Sequence, residues 1–174
     1  STVALGFAGE ILVGHLIGAG ELRAAWLLVR KCLFWGLGVS LTVAILTAAS
    51  APWTLRLFTS DPAIIAQATT LLWLTVLLEP GRTCDIVVIT ALRAAGDARF
   101  PVLAGAASMV VIMGFGSWFL GVQLGLGLVG VWIAYALDEW VRGAIMTLRW
   151  FRLGWVKQAV ASRRQVSRQQ GQRP

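Results

Sequence analysis

The sequence predicts an all-α membrane protein with about five transmembrane helices, and three observations predict it. Of 174 residues, 57% are hydrophobic and only 13% are charged, against roughly 25% charged in an ordinary soluble domain. Mean hydropathy is +0.76, and several uncharged runs reach the ~20 residues that cross a hydrocarbon core. The charge is also unevenly placed. Lys157, Arg163, Arg164, Arg168 and Arg173 lie in residues 157–174 with no acid, so ten basic against eight acidic side chains leave the rest at +2 of the total +7. A soluble enzyme is excluded because too little polar surface remains to hold the chain in water, and a disordered chain by the apolar content. A nucleic-acid partner is excluded because the basic charge is a tail, not a face.

Each element follows from the run that encodes it. Residues 1–18 form a first helix interrupted by Glu10 and His15. The chain opens inside an apolar stretch with no basic flank, which is not a signal peptide and suggests a piece of a longer protein. Leu22, Trp26 and Val29 then make an apolar stripe opposite Arg23 and Arg30, an interfacial approach to the second helix. That helix, 32–55, is uncharged throughout. The third, 62–92, is expected to be broken near Pro80. Proline lacks an N–H, so the Val76 carbonyl loses its partner, and the preceding residue is pushed out of helical geometry. Phe100 to Leu137 is uncharged, too long for one helix; four glycines and Gln123 in 121–130 place a turn. The fourth and fifth helices become 100–120 and 128–149. Residues 1–154 form one transmembrane unit, and 155–174 are expected to be a disordered basic tail held near anionic lipid.

Cytoplasmic loops collect Lys and Arg. The loop after the first helix holds Arg23, Arg30 and Lys31, and the loop after the third holds Arg93, Arg99 and Asp97. The C-terminal end holds Arg149, Arg152 and Lys157, while the other two loops carry only Arg56 with Asp61, or no charge. Five crossings with this alternation put the C-terminus in the cytoplasm. Trp53, Trp118, Trp150 and Trp155 fall near predicted helix ends, where indoles favour the headgroup zone.

Some motifs carry no chemistry. Gly125-Leu-Gly127-Leu-Val-Gly130 matches G-x-G-x-x-G but lacks the strand and distal acid of a dinucleotide site, and reads as a tight turn with close helix packing. Gly14 and Gly18 form a small-xxx-small pattern common in membrane helices. Cys32 and Cys84 read as packing residues, and with one histidine, His15, the sequence offers no zinc spacing.

Charges at bilayer depth are costly, so each is a functional candidate. Glu79, Arg82 and Asp85 recur at intervals of three around Pro80 and sum to −1. Two readings stand: a site where one carboxylate is neutralised by Arg82 and the other takes a proton or cation, or a kink glued by an internal ion pair. Asp138 and Arg142 stand four apart, acid first, the favourable order for a helical pair. With Glu139 they read as a self-neutralising patch. Glu10 is either a pathway residue or a buried polar contact.

Four stretches, in order, resemble one family: ILVGHLIGAGELRAAW (11–26), LRLFTSDPAII (55–65), ALRAAGDARFP (91–101) and GLVGVWIAYALDEWVRG (127–143). They look like the C-terminal half of the multidrug and toxic compound extrusion (MATE) transporters, over roughly residues 5–155. The resemblance implies twelve helices in two six-helix lobes, of which this chain would hold the eighth, in part, through the twelfth. It implies a secondary antiporter in the plasma membrane that exports drugs or organic cations by alternating access. Protons or sodium would drive it without any cofactor. Its partners would be membrane lipid, a cationic small molecule and the N-terminal lobe. The substrate or cation pathway would then use Glu79, Arg82, Asp85, Glu10 and Asp138. The chain departs from the family at one point. Studied members carry a coupling acid on the tenth helix about ten residues before the LR of LRxxGD, and here that count lands on Arg82, with Asp85 one turn later. Competing functions are a lipid or lipid-linked saccharide flippase and a truncated, non-transporting membrane protein. A membrane enzyme has no nucleophile–base pattern behind it.

Overall fold

The computed structural model describes residues 2–162, in which all regular structure is helical. Helices α1 (Thr2–Ala19), α2 (Leu22–Thr54) and α3 (Pro62–Ala94) are followed by α4 (Arg99–Ser108). The α4 rod continues in wider π winding as Met109–Phe115 and Trp118–Gln123, and α5 (Gly127–Phe151) follows. The central element is α3, which packs most extensively against α5, then α2, then α1. Three segments are long and apolar enough to cross a membrane: Leu22–Leu57, Pro62–Ala94 and Arg99–Gln123. The apolar part of α1 is shorter, Gly6–Ala19, and α5 carries Asp138, Glu139 and Arg142 at mid-helix.

The stretches that carried the family resemblance are largely stop and start signals. Gly20 (φ +86°) ends α1, with Gly20 N–H on the Ile17 carbonyl and Glu21 N–H on the Leu16 carbonyl. Gly96 (φ +83°) ends α3 in the same way, with bonds to the Arg93 and Leu92 carbonyls. Both are Schellman stops, in which glycine takes the left-handed position that costs other residues strain. Helix α3 starts at Asp61, whose Oδ1 accepts from Ala63 N–H at 2.8 Å, with Pro62 in the first turn where no N–H is needed. The declined glycine motif is the α4–α5 turn. Gly125 and Gly127 have positive φ, and a Cβ on Gly130 would lie 2.6 Å from the Leu120 carbonyl group.

Four expectations are corrected. Helix α2 begins at Leu22 rather than 32, because the stripe read as an interfacial approach packs inward: Val29 is buried in the core, and Leu22 and Trp26 pack against it. Helix α3 is not broken near Pro80 but continuous from Pro62 to Ala94. An interior proline costs about 3 kcal/mol, and here α5 supports the weakened turn. The Trp140 indole donates to the Leu77 carbonyl at 2.8 Å, next to the carbonyl orphaned by the proline. Gly81 and Gly143 let the backbones meet, since a Cβ on Gly143 would sit 2.6 Å from the Gly81 carbonyl oxygen.

The third correction concerns tryptophans. Trp150 and Trp155 are fully buried rather than interfacial, and their rings stack at 4.3 Å between centroids, 7° from parallel. Such a pair contributes about 1 kcal/mol beyond burial. The fourth follows from it: the tail is ordered at its start. A turn through Leu153 (φ +55°) leads into helical residues 156–162, which seat Ala159 in the core. The tail arginines from Arg163 onward lie outside the described residues. This core joins Val13 and Ile17 of α1 to Leu33, Leu92 and Met146. The far parts of α2 and α3 instead expose Trp53, Ile64 and Trp73, as lipid-facing surfaces do.

Candidate functional site

Two polar nodes lie on α3, one turned to α2 and one to α5. In the first, the Ser40 hydroxyl donates to Glu79 Oε2 at 2.9 Å and lies 2.9 Å from Thr83 Oγ1. A serine has one proton, so Thr83 must donate to Ser40, giving a relay from Thr83 through Ser40 to Glu79. The other Glu79 oxygen, Oε1, lies 3.5 Å from Arg82 Nη1, and the Arg82 side chain is 41% exposed. Glu79, Arg82 and Ser40 border a cavity of about 350 Å³ that Thr47 and Thr75 also line. From the α5 side, the Trp132 indole donates to Thr75 Oγ1 at 3.1 Å. This node therefore has an acid that is half-satisfied, a loosely held guanidinium, and space beside both.

The second node is closed. Arg142 of α5 lies 3.7 Å from Asp85 Oδ2, 3.2 Å from Asp138 Oδ2 and 3.1 Å from Glu139 Oε1. Asp138 Oδ1 also accepts from the Ser108 hydroxyl, at the point where α4 changes to π winding, a geometry often found at functional sites. All three acids are buried.

The structure thus regroups the candidates. Glu79 and Arg82 do pair, but Asp85 leaves them for α5. At 3.6 residues per turn a spacing of six leaves two side chains about 120° apart, so three residues spaced by three drift off one face. Asp138 and Arg142 pair as their spacing predicts, but the patch is not self-neutralising: with Glu139 it already sums to −1, and Asp85 joining it makes −2. No side-chain hydrogen bond or ion pair reaches the Glu10 carboxylate among the described residues, and His15 is exposed. Asp97 is buried at the end of α3 and takes Arg149 at 2.9 Å, which ties the loop rather than lining a pathway.

Sequence reasoning missed Ser40, Thr83, Ser108 and Trp140. Hydroxyls in apolar helices usually bond back to their own helix, as Thr42, Thr47, Thr69 and Thr90 do here. Nothing in the sequence separates Ser40 from these. The described residues contain no group of three His, Cys, Asp or Glu side chains arranged to hold a metal ion.

Fold and site define a helical multi-pass membrane protein with charged groups on its interior helix faces. The comparisons name its family. The MatE family matches residues 2–118, about two thirds of the chain, and the chain belongs to it. It is 39% identical over 155 residues to the "Uncharacterized transporter YisQ" of Bacillus subtilis, covering 87% of this chain and 33% of that protein. Against a "Probable multidrug resistance protein NorM" of Caulobacter vibrioides, identity is 28% over 85% of this chain and 31% of the relative. Against one of Chromobacterium violaceum it is 29% over 93% and 34%. The chain spans about a third of the length of these curated relatives. No solved structure matches it.

Proposed function

We propose that this chain is part of the C-terminal lobe of a secondary antiporter that exports organic cations or drugs in exchange for protons or sodium. The single observation that carries the reading is Glu79. It is a carboxylate at membrane depth, beside a cavity of about 350 Å³, with one oxygen held by Ser40 and the other only loosely by Arg82. Ionisable groups that face cavities in membrane helices mark substrate and ion paths. Family membership and the printed names of the NorM relatives support the same reading. The alternation of basic side chains at successive helix ends supports a cytoplasmic C-terminus in the cell membrane.

A flippase is disfavoured by the same cavity. Phosphate headgroups call for several cationic side chains, and Arg82 is matched here by Glu79. The test uses the protein at its full natural length in liposomes, with ethidium as probe and an imposed proton or sodium gradient. Export under either gradient, reduced about tenfold or more by Glu79→Gln, is the expected result. Gradient-independent leakage, or phospholipid scrambling without ethidium export, would sink the reading. Reporter fusions at the C-terminus that mature only outside the cytoplasm would reverse the orientation.

A further inference from the structure

The basic end of the bundle carries an arginine that the fold positions and leaves without an acid. Helices α2 and α5 both pack on α3, and at this end an aromatic pair joins them. The rings of Trp26 and Phe151 meet edge to face, 5.7 Å between centroids and 80° apart in plane. Trp26 also packs against the core, so its ring is held from two sides. Arg30, one turn further along α2, carries its guanidinium over that ring, 5.3 Å from the centroid. Such an attraction engages the charge and the ring face, and leaves N–H donors for an outside acceptor. Arg30 makes no ion pair among the described residues, whereas Arg82, Arg142 and Arg149 each hold a carboxylate.

The surroundings set the chemistry of an occupant. Arg23 lies seven positions before Arg30, about two turns away on the same face of α2. Arg152 follows Phe151 at the end of α5. Both are exposed, and neither makes an ion pair among the described residues. Glu21, at the start of α2, is about half a turn round the helix from Arg30 and pairs with none of these arginines. One turn toward the middle of each helix the surface becomes apolar: Phe34 on α2 is 73% exposed and Leu148 on α5 is 53% exposed. A small soluble anion would match the cations and leave the apolar strip bare. A molecule with an anionic head and hydrocarbon chains matches both.

We propose that Arg30, set in place by the Trp26–Phe151 pair and joined by Arg23 and Arg152, binds the headgroup phosphate of an anionic phospholipid whose chains lie along Phe34 and Leu148. The guanidinium offers paired donors to phosphate oxygens, and each basic side chain at an anionic surface strengthens attachment about fivefold. This site is built into two helices and is separate from the basic tail. That the leaflet is the cytoplasmic one rests on the orientation proposed above; that the lipid binds here depends neither on that nor on transport.

The test is native mass spectrometry of the full-length protein in detergent, titrated with dioleoyl phosphatidylglycerol or dioleoyl phosphatidylcholine. Saturable retention of phosphatidylglycerol, several-fold tighter than of phosphatidylcholine, is the expected result. Arg30→Gln should weaken it about fivefold, and Arg30→Lys less, since the charge stays and the planar fork is lost. Recovery in Arg30→Lys also guards against reading misfolding as loss of the site. Arg56→Gln, beyond the opposite end of α2, should bind as wild type does, and the dependence on Arg30 should persist in protein lacking residues 163–174. Equal retention of the two lipids, wild-type binding in Arg30→Gln, equal weakening in Arg56→Gln, or a dependence that vanishes with the tail overturns the proposal. Displacement of the lipid by an equal concentration of glycerol phosphate overturns it too, because the site would then be one for a free phosphate.

Discussion

Glu79 and Asp85 lie six residues apart on one helix and live in opposite surroundings. Glu79 faces α2 across a cavity, held by a hydroxyl relay and by a partly exposed arginine. Asp85 faces α5 in a closed cluster, where Arg142 is fixed among three acids and two carboxylate oxygens go unpaired. The first environment can accept a guest because its groups are incompletely engaged and reachable. The second is already occupied by a cation of the chain itself, Arg142. Helical rotation alone produces this division, by placing positions 79 and 85 about 120° apart.

The sharpest way to break the closed side is Arg142→Met. It leaves three buried carboxylates without their cation, and breaking a buried pair in this way costs about 3–5 kcal/mol. A large fall in melting temperature is expected, partly restored in the double variant with Glu139→Gln; a full-strength single variant would show the acids to be already neutral. Next comes Gly143→Val, which forces side-chain atoms against the Gly81 carbonyl. Overpacking typically costs about 1–3 kcal/mol, so lower thermal stability in detergent is expected while Gly38→Ala, in open space, stays near wild type.

Trp140→Phe keeps the ring and removes the donor to the Leu77 carbonyl. A loss of about 1 kcal/mol is expected, with faster amide exchange in α3 around Pro80 and not near Asp97. On the open side, Ser40→Ala removes the donor to Glu79. Cavity water can replace a hydroxyl there, so the stability change should be under about 1 kcal/mol. The effect should appear in ethidium affinity. A stability loss equal to that of Arg142→Met would erase the contrast between the two nodes.

Much of the fold was legible because it is encoded locally. The uncharged runs announce spans, and four glycines with Gln123 in 121–130 announce the turn between α4 and α5. What was illegible depends on a neighbour. Pro80 by itself predicts a break, and only α5, arriving with Trp140 and Gly143, makes the helix continuous. Trp150 and Trp155 by composition belong at an interface, and only the reversal through Leu153 stacks them in the core. The site divides in the same way: the Asp138–Arg142 spacing was readable along one helix, whereas the partners Asp85–Arg142 and Ser40–Glu79 lie on different helices and leave no trace in local pattern.

The indole on the Leu77 carbonyl has a mechanical consequence. The proline turn of α3 stays helical beside a support that belongs to another helix, so the shape of α3 is conditional. If α5 slides by the length of one hydrogen bond, the prop is withdrawn, and the two segments of α3 on either side of Pro80 are free to swing. Glu79 lies just before that joint and Asp85 just after it. The same displacement would therefore turn the cavity acid and the buried acid relative to each other, making the position of one helix a switch for the alignment of the other's two charges.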